Sequence, residues 1–437
     1  MKKNEIYVIP FEDIFLIYRP LLHLAIPGNG AMALLAMNVS EHPHTIPGGA
    51  EKEAYEFLRR SGFLRPDPDP QALHALRQDR TAMPFQPSAA ALLMTNRCSL
   101  RCIYCYANGG AEEALEMPSY LAEAAIDTVC ANALAKKQQN FQVTFHGGGE
   151  PTLAWDVLTG AAAYARKKEL PAELAMVSNG IWSRNQLDWI TENLDGVTVS
   201  MDGGGKTQDA QRPFPDGRGS FSRVMESLAG LDRKSFPYGI RVTCMPERFA
   251  DLAEDVRFLC RETNFRVIQI EPAFNLERGR HARTSAAQGA QFAQAFLEAA
   301  DIVADFGRQI HYSGARPWLI SDAFCEAPLG QSLTVNPKGE VVGCYECTGR
   351  LAEIEDPGVF GQWNGQEFVL DHEKRRRYME MIQSRKDACS DCFCRWHCAG
   401  DCYTRGLPVH DGAWPYARCG MNRAITKGLI VRGICEQ

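Results

Sequence analysis

Between Ala89 and about Ala304, short apolar runs alternate with amphipathic stretches, a pattern that predicts strand–helix units. Six runs read as strands: Ala91–Thr95, Gln142–His146, Glu173–Ser178, Gly196–Met201, Gly239–Met245 and Val267–Pro272. In the first stretch between them, Ala122, Ile126, Val129, Cys130 and Ala133 recur at the spacing of one helix face, with Ser119 as the expected N-cap. Six such units in succession imply parallel strands with helices outside. The expected fold is therefore α/β, a partial (β/α)6 TIM-type barrel, with functional residues in the loops after the strands' C-terminal ends.

The flanks read differently. Residues 1–84 carry the apolar segments Ile6–Ile9 and Phe15–Tyr18 and a helical stretch over Glu51–Ser61. Pro66–Pro70 and the polar residues after it read as a linker. This predicts a small N-terminal domain ahead of a core expected over 88–310. From 315 to 437 apolar periodicity fades and cysteine dominates, as in segments held by metal rather than by a core.

Composition narrows the classes. The chain has 437 residues, 45% of them hydrophobic and 23% charged, which suits a soluble protein of two or three domains. A net charge of −6 gives no footing for a nucleic-acid partner. The basic run Lys374–Arg377 lies among Asp371, Glu373 and Glu380 and reads as a solvated helix face. Lys2 and Lys3 are followed by Asn4 and Glu5, and Glu12 and Asp13 break the next apolar run, so no signal peptide is expected. No apolar run reaches the roughly 18 residues of a membrane span. The expected location is the cytoplasm, where the Asn38-Val39-Ser40 sequon is a chance match. Sixteen cysteines in a reducing compartment then point to metal or redox chemistry. Cys130, Cys244 and Cys260 fall in predicted elements and read as buried structural thiols.

After the first strand, Cys98, Cys102 and Cys105 have the spacing C-x3-C-x2-C. Three soft thiolates on one loop suit an iron–sulfur cluster or zinc, and three ligands leave one metal position open. After the second strand comes His146-Gly147-Gly148-Gly149-Glu150-Pro151-Thr152. Adjacent glycines let backbone approach a ligand, and Glu150 offers an acceptor for an ammonium group. Ser178 follows the third strand, Ser200-Met201-Asp202-Gly203 the fourth, with Asp209 and Arg212 farther on, and Glu271 ends the sixth.

These motifs resemble the radical S-adenosylmethionine (SAM) superfamily, whose cluster loop is C-x3-C-x-aromatic-C, with Tyr104 in the aromatic position. The resemblance implies a [4Fe–4S] cluster on Cys98, Cys102 and Cys105, with SAM on the open iron. It also implies one-electron cleavage of SAM to a 5′-deoxyadenosyl radical that takes a hydrogen atom from the substrate. Gly148, Gly149 and Glu150 match the segment that receives the SAM amino group. Ser200 and Arg212 match the S-x-D-G…D-x-x-R segment near its carboxylate and ribose. Tyr104 and Ser178 complete the expected cofactor-binding set.

The C-terminal cysteines resemble a SPASM domain: Cys325, Gly339 and Cys344, then Cys389-x2-Cys392-x5-Cys398-x3-Cys402 and Cys419. This implies two auxiliary [4Fe–4S] clusters, three in all. One would sit on Cys389, Cys392, Cys398 and Cys419, the other on Cys325, Cys344 and Cys402, with Cys347 as fourth ligand or that iron open. Cys394 has no family role, and C-x2-C pairs also occur in zinc knuckles.

The expected activity is maturation of a ribosomal precursor peptide by a crosslink, with an electron donor such as flavodoxin or ferredoxin. The N-terminal domain resembles a PqqD-like peptide-recognition domain, with a structural subdomain as the other reading. A sulfatase-maturating enzyme is the alternative, but that family places Asp directly after the thiol matching Cys344, where this chain has Tyr345 and then Glu346. Tyr345 and Glu346 are the catalytic candidates, with Glu271 and His146 behind them. A non-catalytic iron–sulfur or zinc scaffold is the third reading.

Overall fold

The computed structural model describes every residue except 1–4, 43–46, 50, 69–83, 112, 274–276, 280–283, 322, 326, 346–357, 388, 403–415 and 436–437. Most of the predicted linker after Pro68, together with Glu346 and Cys347, therefore lies outside the described residues.

The N-terminal unit is an antiparallel sheet of β1 (Tyr7–Phe11), β2 (Ile14–Arg19) and β3 (Leu24–Gly28), followed by helices α1 (Gly30–Glu41) and α2 (Glu51–Arg60). Alternation along β2 divides its side chains between two faces. Ile17 packs under Ala33, Ala36, Leu58 and Phe63 from the helix side. Leu16 and Tyr18 point the other way and pack, with Ile9, against Phe393, Cys394, Cys398 and Ile430. The sheet thus lies between its own helices and the cysteine-rich segment near the C-terminus. Arg19 is fully buried and donates to the carbonyls of Phe63 and Arg65 and, at 2.5 Å, to the Asp67 carboxylate.

The core follows the expected order: β4 (Ala89–Leu93), α3 (Ser119–Ala135), β5 (Phe141–His146), α4 (Trp155–Arg166), β6 (Ala172–Ser178), α5 (Arg184–Asn193), β7 (Gly196–Ser200), α6 (Gly205–Gln211) and α7 (Phe221–Arg233). It continues through β8 (Tyr238–Cys244), α8 (Leu252–Glu262), β9 (Val267–Pro272), α9 (Ala286–Asp305) and β10 (Gln309–His311). Strands β4 to β10 are all parallel. Their outward apolar side chains and the helices' inner faces form one core that includes Leu92, Ile126, Phe145, Leu174, Val199, Ile240, Ile270 and Phe292, with Cys130, Cys244 and Cys260 buried in it. Ser119 is the first residue of α3 rather than its cap: Pro118 holds the cap position in extended conformation and makes no side-chain cap bond.

The sheet does not stop near residue 310. β11 (Ser332–Val335) pairs in parallel with β4 on the far edge, and β12 (Glu340–Val342), β13 (Val359–Trp363) and β14 (Phe368–Leu370) extend it as an antiparallel meander. The result, among the described residues, is an open eleven-stranded sheet in the order β10-β9-β8-β7-β6-β5-β4-β11-β12-β13-β14. Helix α10 (His372–Asp387) carries the basic run: Arg376 and Arg377 pair with Glu373, while Arg375 is buried against Phe85. Helix α11 (Tyr416–Cys435) lies on α9, where Gly428 leaves room for Leu297 and Arg432 pairs with Asp301 at 2.6 Å. Among the described residues, no helix is long and apolar enough to cross a membrane.

The buried Arg19–Asp67 pair makes a prediction. Arg19→Ala leaves the Asp67 carboxylate without its cation, and removing one partner of such a pair costs about 3–5 kcal/mol. Denaturant unfolding followed by intrinsic fluorescence should show that loss, and a change under about 1 kcal/mol refutes the assignment.

Candidate active site

The C-terminal ends of β5, β6, β7, β8 and β9 open into one cavity with about 950 Å³ of empty space, including its mouth. It is lined by Cys98, Cys102, Cys105, Gly147, Gly148, Gly149 and Glu150, and farther round by Ser178, Ser200, Arg212, Arg241 and Glu271. Residues from five separate strand ends thus meet where a parallel α/β sheet places its chemistry.

The cysteine loop is held from two sides. Arg101 N–H donates to Pro213 O at 2.7 Å and Ile103 N–H to Gln211 O at 3.0 Å, which fastens the loop to the end of α6. Tyr104 turns inward: its hydroxyl donates to Asp202 at 2.5 Å and accepts from Arg212 at 2.7 Å. Asp202 also accepts from Thr243 N–H at 3.0 Å and Gln211 Nε2 at 2.8 Å. Burial keeps the Tyr104 phenol protonated and raises the Asp202 pKa, against the pull of Arg212. Arg212 Nε is buried without a hydrogen-bond partner among the described residues.

The glycine turn closes against the same loop. Gly149 N–H donates to Thr95 O at 2.8 Å and Glu150 N–H to Arg97 O at 2.7 Å. A Cβ on Gly149 would stand 1.9 Å from Arg97 O, and one on Gly147 would stand 2.1 Å from Gly149 O, so no larger residue fits at either position. Glu150 is more tightly engaged than the sequence suggests. Its carboxylate accepts from Thr152 N–H and Oγ1, from Ser178 Oγ at 2.7 Å and from Asn179 N–H at 2.7 Å. The Ser178 hydroxyl, having donated to Glu150, accepts from Trp182 Nε1 and Gly180 N–H. Ser178 and Glu150 therefore staple the ends of β5 and β6 together, a role the motifs do not announce. Ser200 lies in register with Arg241, and both side chains face the cavity.

The donor set suits a cluster. Cys98 Sγ accepts from Asn179 Nδ2 at 3.8 Å and Cys105 Sγ from Gly109 N–H at 3.4 Å, as ligand sulfurs commonly do. Burial raises the Cys98 pKa and pushes that of Cys102 up to about 12, so thiolates here need a bound cation. Among the described residues, no three His, Cys, Asp or Glu side chains converge on a single-ion site. Three soft thiolates lining one cavity suit an iron–sulfur cluster with one metal position left for a ligand.

His146, which lines the cavity, stacks its ring on that of Tyr345 at 4.5 Å. Burial lowers the His146 pKa to about 4, so the ring is neutral. Its Nδ1 lies within hydrogen-bond distance of both Gly147 N–H, at 3.0 Å, and Gly147 O, at 3.1 Å, and its Nε2 is buried without a partner among the described residues. Burial also raises the Tyr345 pKa, so it stands there as a phenol, with Cys325 and Cys344 nearby. Glu271, at the end of β9, accepts from Ser313 N–H and Oγ at 2.9 and 2.8 Å.

The remaining thiols form a second region. Cys389, Cys392, Cys394 and Cys398 lie on consecutive turns joined by Cys392 N–H to Cys389 O and Cys398 N–H to Cys394 O. Cys419, on α11, and Cys394 both lie near Cys398. Cys394 is buried among Ile9, Leu16 and Tyr18, and Cys402 N–H donates to Asp401. His397, in the same turns, binds the Tyr18 hydroxyl at 2.5 Å, and Trp396 donates to Glu5 at 2.5 Å.

Residues 92–259 match the model of the Radical SAM superfamily. An uncharacterized protein of Methanocaldococcus jannaschii is 24% identical over 170 residues, which are 38% of this chain and 57% of that protein, so the match spans little more than half of that relative. Among solved structures, native anSMEcpe with bound AdoMet is similar at a TM-score of 0.65 and 16% identity, over 79% of this chain and 98% of that one. The same protein with bound AdoMet and Cp18Cys peptide gives 0.65 and 17%, over 79% and 98%. The shared fold therefore extends well beyond the matched core.

Tyr104→Phe removes the hydroxyl that joins Asp202 to Arg212 and leaves the ring in place. Loss of such a supporting contact lowers activity or metal affinity about 10- to 100-fold. Cluster content by iron and sulfide assay and SAM cleavage under dithionite should show a drop in that range, and unchanged values for both refute the role.

Proposed function

We propose that the chain is a radical SAM enzyme that matures a ribosomally made precursor peptide by forming a crosslink, a reading supported by the match of residues 92–259 to the model of that superfamily. Cys98, Cys102 and Cys105 would hold the cluster that binds SAM, with Gly148, Gly149, Ser200 and Arg212 round the cofactor. When bound, this pair supplies a one-electron cleavage of SAM that removes a hydrogen atom from the substrate. The chain's own residues position and enclose. Tyr104, Asp202 and Arg212 fix the loop, and Glu150 with Ser178 fixes the turn facing it. His146 Nε2 and the Arg241 guanidinium offer polar partners to whatever enters beside the cofactor.

The observation that carries the radical reading is the meeting of three thiols, the glycine turn and the Ser200–Arg212 segment round one cavity. Support for a peptide substrate comes from the N-terminal sheet: its outer strands β1 and β3 pair only with β2 among the described residues, and it packs directly on the turns carrying Cys392 and Cys398. Such an edge can take an extended peptide as an added strand. anSMEcpe, a fold relative, holds a peptide together with AdoMet. At the position where the sulfatase-maturating family carries an Asp base stands Tyr345, a protonated phenol stacked on His146. It suits bond formation without a carboxylate base there better than oxidation to formylglycine.

Closing a crosslink removes two hydrogens from the peptide. One leaves as an atom; the other leaves as a proton and an electron. The auxiliary clusters proposed on Cys389, Cys392, Cys398 and Cys419 and on Cys325, Cys344 and Cys402 would accept that electron, and flavodoxin or ferredoxin would supply the one that starts the cycle.

Incubation of the anaerobically reconstituted chain with SAM and dithionite should yield 5′-deoxyadenosine, and replacing Cys98, Cys102 and Cys105 with Ala should abolish it. A wild-type chain that binds zinc, carries no sulfide and forms no 5′-deoxyadenosine refutes the radical reading. With a precursor peptide encoded beside the gene, mass spectrometry should show the loss of two hydrogens. Conversion of a Cys or Ser to an aldehyde instead replaces the crosslinking reading with formylglycine formation.

A further inference from the structure

We propose that Asn422 is a positioning residue for the auxiliary cluster on Cys398 and that its side-chain amide raises that cluster's reduction potential. The inference rests on the reading of Cys389, Cys392, Cys398 and Cys419 as ligands of one cluster. Asn422 is almost completely buried on α11, three residues after Cys419, so one helix face presents both a ligand thiol and this amide. Its Nδ2 donates to Cys398 Sγ at 3.1 Å. The Tyr312 hydroxyl donates to Oδ1 at 2.7 Å, which supports the amide orientation that aims Nδ2 at the sulfur.

Tyr312 is itself immobilised. It is buried just after β10, and its ring lies 5.7 Å from both Phe292 and Phe296 of α9. Gly314 completes the fit: a Cβ there would stand 2.1 Å from Asn422 Oδ1, so the loop passes this close only with glycine. The end of the last barrel strand thus aims a single N–H at one sulfur of a different region of the chain. A ligand thiolate carries no proton and can only accept. An N–H directed at it stabilises the added negative charge of the reduced cluster more than the oxidised form, which moves the potential upward. An apolar side chain of similar size would fill the same space, so packing alone does not call for a donor here.

The test is an EPR-monitored redox titration of the anaerobically reconstituted full chain, with iron and sulfide assayed on each sample. Asn422→Leu removes the donor, and Tyr312→Phe keeps the ring but frees the amide. In Asn422→Leu the midpoint of one auxiliary cluster should move to a more negative potential, while the SAM-perturbed signal of the first cluster keeps its midpoint. Tyr312→Phe should shift the same auxiliary midpoint in the same direction by less. If Asn422→Leu fails to hold the cluster, the Tyr312→Phe shift decides the matter. Fully loaded variants with wild-type midpoints overturn the hydrogen-bond inference and leave the auxiliary-cluster reading standing. A wild-type chain that takes up only the irons of a single cubane overturns both.

Discussion

The thiol loop keeps its shape because Tyr104 is held between Asp202 and Arg212. The loop could not be rigid by itself, since a segment with three cysteines in eight residues has neither helical nor strand hydrogen bonding to define it. Its stiffness is borrowed from strands β7 and β8 through Asp202, whose carboxylate accepts from Thr243 N–H and whose own N–H donates to Gln208. One buried carboxylate thereby fixes a phenol, a guanidinium and two strand ends. Its pKa is raised by burial, yet Tyr104, Gln211 and Thr243 all donate to it. The glycine turn fits against this loop only without a side chain at Gly149, where a Cβ would meet the backbone of Asn96 and Arg97.

A similar dependence links the two ends of the chain. The N-terminal sheet has two apolar faces, and its own helices cover only one. The second face is completed by the turns that carry Cys392, Cys394 and Cys398, and the seam is stitched by Tyr18 to His397 and Glu5 to Trp396. Burial lowers the His397 pKa to about 4, so this seam is held by a neutral imidazole. With Nδ1–H donating to Leu319 O, Nε2 accepts from the phenol. A peptide docked on this sheet would therefore stand on the same packing unit as the cysteine turns.

What could be read from the sequence was local. The six core strands appear within two or three residues of their predicted bounds because each is an apolar run flanked by an amphipathic helix. The cysteine, glycine-turn and Ser-x-Asp-Gly segments were legible because each signature lies within a few residues. The partners of those segments were not. Tyr104 meets Asp202 across 98 residues and Tyr18 meets His397 across 379, and no periodicity encodes such pairings. β11 was missed because four residues, Ser332–Val335, are too few to show a period, and it counts as a strand only because the edge of β4 is there to receive it. Glu150 was read as an open acceptor since its donors, Ser178 and Asn179, come from the next strand. Arg375 was read as solvated from its neighbours, although Phe85 draws its guanidinium inward.

The wall at the end of β9 joins the cavity to the cysteine-rich region through charge. Glu271 is bound by Ser313 and lies 3.9 Å from Arg418, which in turn binds Asp401 at 2.5 Å beside Cys402. Arg418 thus bridges a carboxylate on the cavity wall and one beside Cys402. The short segment Tyr312–Ser313 orients Asn422 on one side and Glu271 on the other. The exit of β10 is therefore the place where the cavity wall and the distal thiols are tied together.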